Sequence, residues 1–143
     1  MFCDLAYMFY LVVRAPNNLI SRIQVHAEEV CGLKWSSGGN ILASGGNENL
    51  IYIWDASKMS SSNFLYRFND HSAAVKALAW CPYQSDVLAS GGGTKDGCIK
   101  IWNTQKGTCI NSIDTKAQAS YIIFSLSFFS FFLNKFSLVL TIF

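Results

Sequence analysis

The feature that most constrains this chain is an internal repeat. Residues 26–55 read HAEEVCGLKWSSGGNILASGGNENLIYIWD, and residues 71–103 read HSAAVKALAWCPYQSDVLASGGGTKDGCIKIWN. The offset between matching positions grows from 45 residues at His26 to 48 residues at Trp54. Self-similarity at a roughly fixed period indicates repeated supersecondary units that bury their apolar faces against one another.

Both copies show short runs of alternating apolar residues that are separated by glycine-rich turns. Alternation over four to eight residues predicts β-strands, and Gly or Asn clusters between them predict tight turns. On this pattern each unit contains four strands. The predicted strands are 30–35, 41–45, 50–54 and 64–69 in the first unit, and 75–80, 87–91, 98–102 and 108–113 in the second.

A period in the forties, with a His near the start and a Trp-Asp pair at the end, resembles the WD40 β-propeller blade. The resemblance implies an all-β fold, namely a partial WD40 propeller of two four-stranded antiparallel blades with apolar termini outside the propeller. Propellers close with about four to eight blades. The predicted divisions are a flank at 1–25 with an outer strand at 19–24, blade one at 26–70, blade two at 71–116 and a Phe-rich tail at 117–143, helical or disordered.

Each copy carries the four residue types that form a hydrogen-bonded tetrad in WD40 blades. A serine can donate and accept, whereas an indole only donates, so a chain from the acid through His and Ser to Trp satisfies every polar atom. We expect Glu48 to fit less well than Asp96, because its extra methylene lengthens the side chain. The predicted tetrads are His26, Ser44, Glu48 and Trp54, and His71, Ser90, Asp96 and Trp102.

Ser, His and an acid also form catalytic triads. Here, however, each serine lies within an LASGG strand rather than at the strained turn that exposes a nucleophile. The recurrence of the set in both copies favours a structural role. We therefore predict that the chain is not an enzyme.

Charge and cysteine content exclude several further classes. The region from His26 to Lys116 is neutral, and no basic stripe suited to nucleic acid is present. The five cysteines form no CxxC pair and have no zinc-ligand spacing. We expect no metal, no cofactor and no nucleic-acid partner, and we expect an intracellular, reducing compartment.

The segment 121–143 differs from the blades, since it contains seven of the eleven Phe residues and one charged side chain, Lys135. Three interpretations stay open. A bilayer-spanning helix needs about 20 predominantly apolar residues, but a Lys near mid-span costs roughly 2.5–3.5 kcal/mol. A strand of a third blade lacks the expected Trp and Gly-rich turn. The third interpretation is a stretch that does not belong to an evolved domain.

Three sequence segments are similar to the middle blades of the Fizzy family, the Cdc-twenty and Cdh-one type activators of the anaphase-promoting complex. The segments are EEVCGLKWS, LASGGNENLIYIWD and WCPYQSDVLASGGG. That resemblance implies a substrate-recognition adaptor in ubiquitin-dependent proteolysis and cell-cycle control. It implies that KEN-type degrons bind through Asn47, Asn49 and Thr94. The bland interpretation is that the two asparagines only occupy left-handed turn positions.

The partners implied by the resemblance are subunits of the anaphase-promoting complex and degron-bearing substrates, and the implied location is the nucleus and cytoplasm. The docking segments expected at either end of such activators do not appear in this sequence. Two other functions therefore stay open. One is a generic WD40 interaction scaffold, and the other is a truncated, non-functional product with a membrane-prone tail.

Overall fold

The computed structural model describes residues 2–4, 7–11, 20–61, 63–125 and 137–139, with side chains described from Ile23 to Met59 and from Asn63 to Ile123. Its regular elements are strands and one short 3-10 helix, Ala56–Ser61. The all-β prediction is confirmed.

Each repeat folds into a four-stranded antiparallel sheet whose strands pair in chain order. The predicted strands agree with the observed ones to within two residues at each end. Blade one consists of β4 (Val30–Trp35), β5 (Ile41–Gly46), β6 (Ile51–Asp55) and β7 (Tyr66–Phe68). Blade two consists of β8 (Val75–Trp80), β9 (Val87–Gly92), β10 (Cys98–Asn103) and β11 (Thr108–Asp114).

The two blades also share an irregularity. The pairing of β4 with β5 shifts between Val30 and Gly32, and the pairing of β8 with β9 shifts between Val75 and Ala77. Such β-bulges bend a strand and increase its local twist. The repeated sequence therefore reproduces a local distortion as well as the regular ladder.

The main core lies between the blades. Phe68 of blade one stacks on Trp102 of blade two, with ring centroids 4.3 Å apart and ring planes 13° apart. The indole Nε1 of Trp80 donates a 2.9 Å hydrogen bond to the backbone oxygen of Lys34. A Cβ on Gly32 would lie 2.5 Å from the backbone oxygen of Lys76, so only glycine permits this approach of the two innermost strands.

Strand β3 (Ile20–Gln24) packs on the other face of blade one and belongs to a three-stranded sheet in the order β1 (Phe2–Asp4), β2 (Tyr7–Leu11) and β3. Ile23 is buried in the same apolar cluster as Leu42 and Trp54. Strand β3 falls in the range 19–24 predicted as a strand, although residue 19 lies outside the described residues. Its assignment to a preceding blade stays a prediction.

The outer face of blade two is covered in part by the segment that follows β11. Ala119 and Ile122 are buried there, against Ala89 and Ile99. A Cβ on Gly91 would collide with Ala119, just as a Cβ on Gly45 of blade one would collide with Val75. The contacts thus cross the predicted boundary at Lys116, and this segment lies where the first strand of a further blade would lie.

Beyond Ile122, the described parts of the Phe-rich tail are two short paired strands, β12 (Ile123–Ser125) and β13 (Ser137–Val139). They are not the helix that the apolar composition suggested, and residues 126–136 and 140–143 lie outside the described residues. No helix within the described part of the chain is long and apolar enough to cross a membrane.

Candidate functional site

In blade one the structure brings the four predicted tetrad residues into contact. The indole Nε1 of Trp54 donates to Ser44 Oγ at 2.9 Å, and Ser44 Oγ lies 2.8 Å from His26 Nε2. The other ring nitrogen of His26, Nδ1, contacts Glu48 Oε1. The rings of Tyr52 and His26 are nearly perpendicular, with centroids 4.7 Å apart. The network therefore joins β5, β6 and the connection that precedes β4.

Blade two repeats this arrangement. Ser90 Oγ accepts a 2.7 Å hydrogen bond from Trp102 Nε1 and lies 2.7 Å from His71 Nε2. His71 Nδ1 lies 2.7 Å from Asp96 Oδ2. Since each indole nitrogen must donate, each serine hydroxyl is free to donate to its histidine, and each histidine Nδ1–H donates to the acid.

This direction of hydrogen bonding requires neutral histidines, and the electrostatics agree. Burial lowers the pKa of His26 below its usual value, and the hydrogen bond to Glu48 offsets only part of that effect. Burial likewise lowers the pKa of His71 despite its bond to Asp96. Burial alone would raise the pKa of Asp96, but hydrogen bonds from the Ser72 backbone, His71 and the Ser72 side chain outweigh it and lower that pKa.

The two acids contact their histidines from turns of different length. The β5–β6 turn has two residues between Gly46 and the left-handed residue Asn49, with φ of 70°. The β9–β10 turn has two more residues before its left-handed residue Gly97, with φ of 59°. Glu48 contacts its histidine from the shorter turn, as Asp96 does from the longer one.

The Glu48 and Asp96 carboxylates also accept hydrogen bonds from the connections that precede each blade. Glu48 Oε2 accepts a 2.7 Å hydrogen bond from the backbone N–H of Glu28. Asp96 Oδ1 accepts from the backbone and hydroxyl of Ser72, at 2.8 and 2.9 Å. Every polar side-chain atom of the two tetrads has a partner, and Ser44 and Ser90 are fully buried. The tetrads therefore cross-link each sheet and present no exposed nucleophile.

The residues predicted to contact a degron lie on the turns at this same end of the blades. Asn47 is exposed, and its backbone N–H donates to Glu29 O at 2.8 Å. Asn49 is half-buried in the left-handed conformation, which asparagine tolerates better than most residues. Thr94 is exposed on blade two. All three side chains thus lie at the rim formed by the two turns.

The structure adds Gln118 to this set, a residue that sequence reasoning missed. Thr94 Oγ1 donates a 3.0 Å hydrogen bond to Gln118 Oε1, and both residues are exposed. Extending the repeat past Lys116 would have found it, because Gln118 precedes Ala119 as Ala74 precedes Val75. The rim therefore offers amide and hydroxyl groups from three successive segments, which suits recognition of a polar peptide.

The rim carries no metal-binding chemistry. Within the described ranges, no three His, Cys, Asp or Glu side chains are grouped so that they could hold a metal ion. The acid and histidine of each tetrad contact one another, so neither is directed toward a ligand.

Comparison with protein families matches both blades. The family model described as WD domain, G-beta repeat matches residues 17–55 and 62–103, which together make up more than half of the chain.

Curated relatives of similar sequence carry names from cell-cycle control. The chain is 50% identical over 119 residues to Cell division cycle 20.5, cofactor of APC complex, from Arabidopsis thaliana, a match that covers 80% of this chain and 26% of that protein. It is 44% identical over 113 residues to Protein FIZZY-RELATED 1 from the same plant, covering 79% of this chain and 23% of the relative. The resemblance to the Fizzy family is thereby confirmed, and the chain spans about a quarter of the length of these relatives.

A solved structure also resembles this chain in fold and sequence. A chain in the crystal structure of the Mitotic Checkpoint Complex superposes with a TM-score of 0.78 and 46% sequence identity, covering 84% of this chain and 36% of that chain. At this identity, the likeness extends to sequence as well as to fold.

Proposed function

This chain belongs to the WD40 family of G-beta repeat domains, and on that premise we propose that its blades act in a substrate-recognition adaptor of the anaphase-promoting complex. The observation that carries the proposal is its identity of about half to cofactors of that complex over both blades. The proposed adaptor is not an enzyme, since its contribution is binding. Its partners are subunits of the complex and degron-bearing substrates, met in the nucleus and cytoplasm.

The rim of the two turns is the proposed binding surface for a KEN-type degron. Asn47 and Asn49 each offer an amide that can donate and accept, and Thr94 offers a hydroxyl. These groups match the asparagine and carboxylate side chains of such a peptide. Gln118 supports the same surface, because it already holds the Thr94 hydroxyl at the rim.

A fluorescence-anisotropy titration of a labelled KEN peptide against the full chain tests this surface. Asn47→Ala and Thr94→Ala each remove one polar group, so we expect about a fivefold to tenfold loss of affinity for each, as for one hydrogen bond of about 1 kcal/mol or slightly more. Matched controls are Asn63→Ala and Thr108→Ala, which change exposed residues at the opposite end of the blades. Equal effects at both ends would reject the rim as the binding surface.

Asn49 needs a different substitution, because it also holds the turn. Asn49→Gly keeps a residue that adopts positive φ freely while it removes the amide. Weaker peptide binding with an unchanged unfolding transition would assign the amide to recognition. Unchanged binding would leave Asn49 with the turn alone. If the peptide binds none of these proteins, including the unsubstituted chain, the adaptor proposal gives way to a generic interaction module.

A further inference from the structure

The outer strand of blade two carries a side chain that lies against its own backbone. Asn111 is the middle residue of β11, an edge strand that is exposed at all seven of its residues. Edge strands leave a row of backbone groups without a ladder partner. Here the backbone N–H of Ser112 donates a 2.9 Å hydrogen bond to Asn111 Oδ1. The nitrogen of the next peptide bond is therefore held beside the carboxamide of Asn111.

This pair of groups is the one that reacts when an asparagine deamidates. The backbone nitrogen of the following residue loses its proton and attacks Cγ, a five-membered imide closes, and the Cγ–Nδ2 bond breaks. Nδ2 gains a proton through the solvent and leaves as ammonia. Water then adds to the imide and opens one of its two C–N bonds, which gives aspartate or isoaspartate. Holding the reacting groups together accelerates an intramolecular step of this kind.

Asn103 in the same blade shows the opposite arrangement. It too is followed by a hydroxyl residue, but the backbone N–H of Thr104 donates to Asp86 O at 2.7 Å. Asn103 Oδ1 accepts instead from the N–H groups of Gln105 and Lys106, at 3.0 and 2.7 Å. Both reacting groups are thus engaged elsewhere, and Thr104 is buried.

The sequence alone would point to a different site. The chain has no Asn-Gly pair and a single Asp-Gly pair, Asp96–Gly97, in which glycine leaves the attacking nitrogen unhindered. In the fold the Gly97 N–H donates to Gly93 O at 2.9 Å. Burial opposes ionisation of Asp96, but hydrogen bonds from Ser72 and His71 outweigh it and lower its pKa. The carboxyl is thereby kept in the ionised form, which resists attack.

We propose that Asn111–Ser112 is a site of spontaneous deamidation in the folded chain, whereas Asn103 and Asp96–Gly97 react only after unfolding. The co-reactant is water, which has access to the exposed strand. The characteristic product is an isoaspartyl bond, the group that isoaspartyl methyltransferases recognise. This inference is independent of the proposed function, because it concerns the outer edge of blade two and not the rim.

The modification would change the outer strand and spare the inner ones. Isoaspartate at position 111 carries the chain through its side-chain carbon, which adds one atom to the backbone of β11. Beyond that point, residues 112–114 pair with residues 98–100 of β10, and their register would be lost. The 3.1 Å hydrogen bond from Lys100 Nζ to Ser112 Oγ lies in the affected part.

Peptide mapping of the full chain tests the proposal. The chain is incubated at neutral pH in buffer and, in parallel, in guanidinium chloride, and mass spectrometry with fragmentation that separates aspartate from isoaspartate follows each site. In buffer we expect Asn111 to react at least about tenfold faster than Asn103, whereas in denaturant the two rates should agree within about threefold. Asp96–Gly97 should react at least about tenfold faster in denaturant than in buffer.

Two variants serve as matched controls. Asn111→Gln should abolish isoaspartate at this position, because its imide would need a less favourable six-membered ring. Asn103→Gln should leave the isoaspartate content of the folded chain unchanged. An isoaspartyl methyltransferase with labelled S-adenosylmethionine counts the same groups independently. Thermal unfolding of the fresh proteins checks that both variants are folded, and the comparison of Asn111 with Asn103 in the unsubstituted chain needs no variant.

Equal rates at Asn111 and Asn103 in the folded chain would overturn the proposal. A rate at Asn111 that is about tenfold lower in buffer than in denaturant would overturn it as well, because folding would then protect the site. Either result leaves the binding surface at the rim unaffected. Conversely, a failure of the KEN peptide to bind leaves the deamidation site unaffected.

Discussion

The two blades reach the same internal network through different turns and are covered by different neighbours. Blade one uses Glu48 on a short turn, whereas blade two uses Asp96 on a turn that is two residues longer. The outermost strand of blade one buries Phe68 against blade two. The matching residue of blade two, Ile113, is 37% exposed. The network is thus a property of each repeat, while the packing of its outer strand depends on the neighbour.

Phe68→Ala should produce the largest difference between the blades. Phe68 pairs with Ile51 in its sheet as Ile113 pairs with Ile99, so the two positions are equivalent. We expect loss of the buried ring to lower the free energy of unfolding by about 3–5 kcal/mol, and Ile113→Ala to lower it by about 0.5 kcal/mol. Urea denaturation measures both. Similar losses would mean that blade two does not support blade one.

Removal of the tetrad serines should affect the two blades alike. Ser44→Ala and Ser90→Ala each leave a buried indole N–H and a buried histidine nitrogen without a partner, which should cost about 2–4 kcal/mol. Ser72→Ala is the control, since its exposed hydroxyl bonds only the Asp96 carboxylate. A much smaller loss in one blade would show that its network is dispensable.

The two histidines predict a smaller, graded loss of stability in mild acid. Burial lowers the pKa of His26 and His71. Just below about pH 6.5, these histidines therefore stay neutral in the folded chain but take up protons in the unfolded chain. The free energy of unfolding should therefore be highest above that pH and should decrease as the pH falls below it. Urea denaturation between about pH 7.5 and pH 5.5 tests this range.

The chain contains only these two histidines, so each blade can be examined alone. His71→Gln leaves His26 as the reporter of blade one, and His26→Gln leaves His71 as the reporter of blade two. The lowered pKa of Asp96 adds a separate loss below its ordinary range, near pH 4. Stability that rose on acidification from neutral pH would contradict the neutral networks.

The smallest effects should distinguish the two left-handed turn residues. Gly97→Ala introduces a Cβ at a φ of 59°, which should cost about 1–2 kcal/mol. Asn49→Gly relieves rather than imposes strain at φ of 70°, so its effect should stay within a few tenths of a kcal/mol. Differential scanning calorimetry on both variants compares them. A large loss for Asn49→Gly would show that the amide, and not the turn alone, stabilises blade one.

Much of the fold was predictable because the local signals agree with one another. Alternation predicts all eight blade strands, and the repeated His, Ser, acid and Trp, read as a WD40 pattern, predict both networks. Each of these patterns depends on neighbours within one repeat, where hydrogen bonding and turn chemistry act over short separations.

The segment after Lys116 was less predictable. Its loss of Gly, Asp and Glu suggested an unrelated tail, yet Ala119 and Ile122 pack on blade two. Ala119 lies against Gly91 of blade two, as Val75 lies against Gly45 of blade one. The need for glycine at position 91 becomes evident only when the two segments meet. The role of Gln118 was not predicted for the same reason, since its contact with Thr94 joins segments that are separate in sequence.

The sequence by itself determined the repeat and the positions of the strands within each blade, because these arise from alternation and turn residues within about 45 residues. Its resemblance to WD40 blades also identified the four residues of each buried network. Only the tertiary structure decided which apolar faces are covered and how Thr94 and Gln118 meet. Those features require elements distant in the chain to come together, and their positions depend on how whole sheets pack against each other.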